Sequence, residues 1–429
     1  MTDRYQRSRE LLERALEVIP LGAQTFSKSI TQYPRGVSPH FAGRAKGARL
    51  WDADGNEYLD LVGALAAVLL GYGDEETDAA VRAQLESGVS FTLSHELEIE
   101  VAERLVRLVP CAEQVRFGKN GTDATSAAVR LARARTGRDH VALCGYHGWQ
   151  DWSIGTTTRD KGVPAAVRAL SHAFPYGDLG ALERVLAAHP SGFAAVVMEP
   201  AGASLPPAGY LAGVRDLAHR HGALLVFDET ITGMRFHSGG AQALYGVTPD
   251  LATFGKGIAN GFPLSAVLGP RELMREMEEV FFSGTFGGEA LSLAAARSVL
   301  DRVVRDRVPE RLAERGTELQ ERLHALLEST GSAGVFSLAG HPSWTFLRIA
   351  ATERCSDFEI KTLLLQRLFE RGVLFLGTFN LSLAHGPAEL DEVVRVLREV
   401  LPELAERARA GRVREALRTE PLRPLFKVR

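Results

Sequence analysis

The sequence predicts an α/β protein with a mainly parallel sheet and a smaller α+β part. Three observations predict it. Short apolar runs alternate with helical patterns from about residue 75 onward. Several of those runs end in Gly, Asp, Glu or Lys, the residue types that bind ligands at the strand ends of such sheets. Residues 330 to 400 then change rhythm to a few short strands and two amphipathic helices.

Each element can be justified in order. Leu11, Leu12, Ala15 and Val18 recur at helical spacing within Tyr5–Val18, and Pro20 and Gly22 stop that helix. A polar loop, Gln24 to Gly36, carries the string Thr25-Phe26-Ser27-Lys28-Ser29. Ala48 to Leu61 reads as a hairpin around Asp54-Gly55. The buried strands expected next are Val115–Gly118, Val141–Cys144, Ala194–Glu199, Ala223–Asp228, Leu251–Phe254 and Ser265–Leu268. Helices are expected at Thr122–Thr136, Leu179–Ala188 and Leu211–His221, and a long helical stretch runs from Gly287 to Leu327. The expected organisation is a segment 1–74 joining the small domain, a large ligand-binding domain 75–300, and a small α+β domain 301–429. The arginine-rich end, Glu403 to Arg429, reads as a solvated helix followed by a surface strap.

Composition narrows the function. The chain has 429 residues with 45% hydrophobic and 24% charged residues and a net charge of -3, which suits a globular protein and gives no field for nucleic acid or an anionic membrane. Cys111, Cys144 and Cys355 are too scattered for a disulfide framework or a zinc site, and they fit a reducing cytoplasm. The polar start, Met1 to Glu10, does not read as a signal peptide, and the apolar stretch Leu61–Tyr72 is too short to span a bilayer.

Four segments carry chemistry. Leu224–Glu229 is an apolar strand ending in the carboxylates Asp228 and Glu229. Lys256 lies between Gly255 and Gly257 after another apolar run, where burial would lower its pKa and make it a nucleophile toward an aldehyde. Gly121-Thr122 opens a helix, a phosphate cradle by its N–H groups and dipole. Tyr146 follows a strand and can lie flat on a heteroaromatic ring. Read singly, each segment has an ordinary structural explanation: a capping acid, a turn lysine, a helix start, a core tyrosine. Together they fit pyridoxal 5'-phosphate, with a lysine for its aldehyde as a Schiff base, an acid for its ring nitrogen, a helix start for its phosphate and a ring for stacking. There is no metal site in this reading.

The chain resembles class III aminotransferases of fold type I, especially the branch containing glutamate-1-semialdehyde 2,1-aminomutase. The resemblance runs from about Ile19 to Leu401. It rests on GARLWDADGNEYLDLVG from Gly47 to Gly63, NGTDATSAAVRLARARTGR from Asn120, YHG at Tyr146, VVMEP ending in Pro200, LLVFDETITGMRF from Leu224, GGAQALYGVTPDLATFGKGIANGFPLSAVLG from Gly239 and GTFGGEALSLAAA from Gly284. It implies a mainly parallel seven-stranded sheet, with the small domain built from both chain ends. It also implies roles: Lys256 holds the cofactor and shuttles the proton, and Asp228 pairs with the pyridine nitrogen. Gly121 and Thr122 hold the phosphate, Tyr146 stacks, and Glu199 is a polar residue near the cofactor. Thr285 reaches the phosphate of the neighbouring subunit, which implies a homodimer with shared active sites.

The pattern departs from the family in places. Asn120-Gly121-Thr122-Asp123 stands where Ser-Gly-Thr-Glu is usual, and Thr230 stands where a valine usually faces the ring. The segment Leu374 to His385 has no arginine, which argues against a dicarboxylate held there. Gln24, Phe26, Ser27, Trp149 and Trp152 read as a polar and aromatic entrance. The resulting expectation is an aminotransferase carrying an amino group from a small-molecule donor to a carbonyl acceptor, of oxo-sugar or aminocyclitol type. The alternatives are a 2,1-aminomutase acting on a glutamate-1-semialdehyde-like substrate and a pyridoxal-phosphate epimerase.

Overall fold

The computed structural model describes residues 4–189, 191–425 and 427. Two compact units result: residues through Asp74 with Arg311–Leu425, and Glu75–Glu310 with Lys427.

In the first unit, helix Gln6–Val18 lacks a cap of its own, and Asp54 supplies one. Its two oxygens accept the N–H groups of Arg7 (2.6 Å) and Ser8 (2.9 Å). Strands β1 (Ala42–Lys46), β2 (Arg49–Asp52) and β3 (Glu57–Asp60) form an antiparallel ribbon. The late strand Val373–Leu374 adds to it in parallel, Val373 opposite Leu59, so residues from both halves of the chain share one sheet. A second, antiparallel sheet holds Phe336–Ala339, Thr345–Ile349 and Thr378–Phe379. Helices Asp357–Glu370 and Pro387–Ala410 complete the α+β character. Beyond Ala410 a short helix, Val413–Ala416, precedes extended chain; residues 426, 428 and 429 of the expected strap lie outside the described residues.

The second unit is built on seven strands: β4 (Gln114–Gly118), β5 (His140–Cys144), β6 (Ser171–Ala173), β7 (Phe193–Met198), β8 (Leu224–Asp228), β9 (Leu251–Phe254) and β10 (Ser265–Gly269). Their order is β4-β10-β9-β8-β7-β5-β6, and β10 alone pairs antiparallel with its neighbours in this sheet. Alternation divides the side chains between two apolar layers. Val141, Leu143, Val197 and Val226 face the alanine-rich helix Gly121–Thr136. Ala142, Cys144, Met198 and Phe227 face helices Leu179–Ala187 and Tyr210–Arg220. Both faces are covered, which explains the unbroken apolar runs.

Two expectations needed correction. Strand β6 was not read from sequence, because it is three residues long and carries Ser171 and His172. The stretch from Gly287 to Leu327 is two helices, Ala290–Arg305 and Val308–Ser329, separated where Arg307 turns to a φ of 50°. Among the described residues, no helix is long and apolar enough to cross a membrane.

Gly316, inside helix Val308–Ser329, gives a direct test of packing. A Cβ there would stand 1.9 Å from the Pro342 carbonyl oxygen. Alanine gains about 1 kcal/mol in helix propensity, but the clash outweighs it. Gly316→Ala is expected to lower unfolding free energy by about 2 kcal/mol, read as a lower denaturant midpoint.

Candidate active site

Parallel pairing brings the carboxyl ends of β5, β7, β8 and β9 to one edge of the sheet. Chain continuity then delivers Tyr146 and His147 just after β5, Glu199 after β7, Asp228 at the end of β8 and Lys256 after β9. Helix Gly121–Thr136, which follows β4, starts against the same edge. A Cβ on Gly121 would lie 3.1 Å from Thr230 Cγ2, and one on Gly255 would lie 3.3 Å from that same carbon. Thr230 therefore packs between the helix start and the residue before Lys256.

The centre of this edge is a buried ion pair. His147 Nδ1 lies 2.8 Å from Asp228 Oδ2, and its Nε2 lies 3.0 Å from the Cys144 carbonyl oxygen. Both partners are acceptors, so both ring nitrogens donate and the imidazole is a cation. Burial works against each charge. The hydrogen bond and mutual attraction nonetheless raise the His147 pKa and hold the Asp228 carboxyl below the usual carboxylate range. Asp228 Oδ1 also accepts the Thr230 N–H (3.1 Å) and the Thr253 hydroxyl (3.3 Å).

Around that pair the charges are tuned by burial. Glu199 is pushed up to about 7, first by desolvation and then by the Asp228 charge, against the pull of His147 and Lys256. The Glu199 residue as a whole is half-buried. The Lys256 amine is lowered by desolvation, against the carboxylates of Glu199 and Asp228, while buried Arg235 adds to the lowering. Lys256 also adopts a φ of 44°, a left-handed conformation that costs a non-glycine residue energy and is held by its surroundings.

Several predicted residues thus meet: Gly121, Thr122, Glu199, Asp228, Thr230 and Lys256. Tyr146 is 43% exposed beside them. Thr285 is exposed and lines a surface cavity of about 350 Å³ with Gly118, Lys119, Asp123, Ser126 and Gln150. Asp228 and Glu229 divide sharply. Glu229 points away and accepts the N–H groups of Ala241 (2.7 Å) and Gln242 (2.9 Å) and the Thr232 hydroxyl (2.6 Å), so it caps helix Ala241–Tyr245. Trp152 is no entrance residue. It is buried, donates to Ser126 Oγ (2.9 Å) and lies parallel to the His147 ring at 6.2 Å. His147 and Arg235 were missed. The signal for His147 was its place in Gly145-Tyr146-His147-Gly148; Arg235 gave no signal.

The donor set fits pyridoxal phosphate. The hydroxyl oxygen of Thr122 is buried without a hydrogen-bond partner at the helix start, where a phosphate would satisfy it. An amine with a lowered pKa and a buried carboxylate stand at the same edge. The chain matches the family Aminotransferase class-III over residues 32–379. The protein is a class III aminotransferase family member. Among its relatives, the 3-aminobutyryl-CoA aminotransferase of Cloacimonas acidaminovorans is 33% identical over 409 residues, covering 93% of this chain and 97% of the relative. The glutamate-1-semialdehyde 2,1-aminomutase of Sorangium cellulosum is 35% identical over 429 residues, covering 93% and 97%. The pyridoxal-phosphate internal aldimine form of the Sphingopyxis sp. FumI protein superposes with a TM-score of 0.85 at 30% identity, covering 97% and 98%. An omega-transaminase from Sphaerobacter thermophilus gives 0.83 at 30%, covering 93% and 98%. Like the rest of its family, this class III aminotransferase is a pyridoxal-phosphate enzyme with the fold type I architecture.

Gly148 has a φ of 112°, and a Cβ there would fall 2.3 Å from the Thr122 hydroxyl. Gly148→Ala is expected to weaken pyridoxal-phosphate binding to the apoprotein at least about tenfold, or ~1.4 kcal/mol, measured by absorbance titration. The ion pair has its own pH signature. Asp228 is shifted down, so its contribution is lost as pH falls below about 4; His147 is shifted up, so its contribution is lost as pH rises well above about 6.5. His147→Gln should cost about 3 kcal/mol of stability between those limits. The gap to wild type should narrow in both directions in chemical denaturation at a series of pH values.

Proposed function

We propose that this chain is an aminotransferase in which Lys256 and Asp228 carry the chemistry. The observation that carries this reading is the convergence of a desolvated lysine amine with the Asp228–His147 ion pair at one sheet edge. Pyridoxal phosphate, when bound, supplies an aldehyde for amines and a ring that accepts electrons from the adjacent carbon. Asp228 holds a proton at the ring nitrogen, and His147 keeps Asp228 ionised and oriented. Lys256, with its pKa lowered, would be the group that moves the proton at the substrate carbon when the cofactor is bound. Gly121 and Thr122 bind the phosphate through N–H groups and the Thr122 hydroxyl. Tyr146 would stack on the ring, Thr230 would face it, and Glu199 would be a polar neighbour. Thr285 binds the phosphate of a neighbouring subunit in a homodimer. We place the enzyme in the cytoplasm, where its free cysteines Cys111, Cys144 and Cys355 are stable.

For the acceptor, we favour a hydroxyl-rich carbonyl compound, an oxo-sugar or an aminocyclitol precursor. Tyr146 and Trp149 are exposed and offer ring faces in this unit, and Leu374 to His385 supplies no arginine for a second carboxylate. The named 3-aminobutyryl-CoA aminotransferase makes β-amino compounds the first donors to try. The pyridoxamine form should return to the aldehyde form faster with oxo-sugars than with simple keto acids; the reverse order sinks the acceptor assignment. A second reading, an aminomutase, is favoured by the 35% identity to enzymes of that name. Turnover without any separate donor would establish it.

Lys256→Ala is expected to lower turnover at least about 10³-fold while the fold and cofactor binding persist. Steady-state rates with the best donor check it, and wild-type turnover in that variant would overturn the assignment.

A further inference from the structure

A second cluster lies in the same unit at the other end of strand β5. His140 opens β5, His172 is the middle residue of the edge strand β6, and His189 follows helix Leu179–Ala187. Sheet geometry explains the meeting. Residues 140 and 142 share a face of β5, and the parallel register sets His172 beside Ala142, so His140 and His172 are diagonal neighbours on one face. That face packs on helix Leu179–Ala187, through Leu182 and Leu186, and the chain leaving this helix brings His189 over the pair.

The three imidazoles form a compact triangle. His140 Nδ1 and His172 Nε2 are 2.9 Å apart. The rings of His140 and His189 are 4.4 Å apart at 28°, and those of His172 and His189 are 4.2 Å apart. One ring nitrogen from each lies within 4.8 Å of the others. All three rings stand around Phe193, which is fully buried and forms an apolar floor. All three histidines are half-buried, so the triangle remains open to solvent on one side.

We propose that His140, His172 and His189 form a binding site for one late first-row divalent ion, Zn²⁺ in the first instance. Three imidazole donors with one open position suit such an ion. Nitrogens bound tetrahedrally at 2.0–2.1 Å would stand about 3.4 Å apart, so the triangle needs side-chain shifts of about 1 Å. Burial first, and the neighbouring imidazoles second, lower the pKa of His140 and His172. The bound ion would tie the three-residue edge strand to β5 and to the end of helix Leu179–Ala187. It would act as a structural staple, since β5 runs from His140 to Cys144 before the chain reaches His147 at the catalytic edge. This site goes beyond the aminotransferase reading and stands without it.

The test uses the full-length holoenzyme dialysed against chelator. Zn²⁺ is titrated by calorimetry, and Co²⁺ is added separately to read the absorption of tetrahedral coordination. Wild type is expected to bind one Zn²⁺ per chain, to unfold at a higher temperature with the ion, and to keep its cofactor absorbance. His172→Ala and His189→Ala should each weaken that binding more than about 10-fold and abolish the thermal shift while leaving turnover unchanged. His189 lies outside strand and helix, so His189→Ala keeps the test valid if the strand variant fails to fold. Equal Zn²⁺ affinity in wild type and His189→Ala, or no binding in wild type, would overturn the proposal and leave an aromatic cluster held by a histidine–histidine hydrogen bond.

Discussion

The edge of the sheet where β5, β7, β8 and β9 end depends on one buried charge being kept a charge. Asp228 ends an apolar strand inside the protein, where an isolated carboxylate would take up a proton. The His147 imidazolium prevents that, because its other nitrogen is already committed to the Cys144 carbonyl oxygen and the ring cannot give its proton away without losing a bond. The loop holding His147 is itself fastened: its N–H donates to Ser153 Oγ and its carbonyl accepts from Thr125 Oγ1. Thr125 belongs to the helix whose first turn holds Thr122, so the His147–Asp228 pair and Thr122 share one rigid support.

A single ion pair then sets the tone for the other titratable groups. Asp228 held negative is part of what pushes Glu199 up toward neutrality. Lys256 experiences two carboxylates, one of them shifted toward its neutral form, together with desolvation and the nearby Arg235 charge. Desolvation outweighs the two carboxylates, so the Lys256 pKa lies below that of an ordinary lysine. The left-handed turn at Lys256 is held by its buried surroundings, β9 before it and Gly257, Ile258 and Ala259 after it.

Not every acid or aromatic residue at the sheet edge serves the chemistry. Glu229 is spent on a helix start, and Trp152 is spent on packing beneath His147. Neither assignment could be made from residue type. Adjacent Asp228 and Glu229 point to opposite sides of the strand end, so neighbours in sequence became unrelated in function. Trp149 and Trp152 differ in the same way: the first is 66% exposed and the second is buried three residues later, inside the short helix Asp151–Ile154.

The sequence by itself determined the layered α/β architecture, the strands, and the list of chemical groups at their ends. These are local properties: a fully buried strand must be a continuous apolar run, and a lysine between glycines or a glycine-threonine helix start is visible within a few residues. It was silent on β6, whose three residues carry too little apolar signal, and on the break at Arg307. Tertiary structure alone decided which groups share a charge. His147 and Asp228 are 81 residues apart and meet only because β5 and β8 run parallel in one sheet, with β7 between them. His140, His172 and His189 converge by strand register and the end of a helix. Hydrogen bonds and Coulomb forces act over a few ångströms of space, and spacing along the chain does not report that distance.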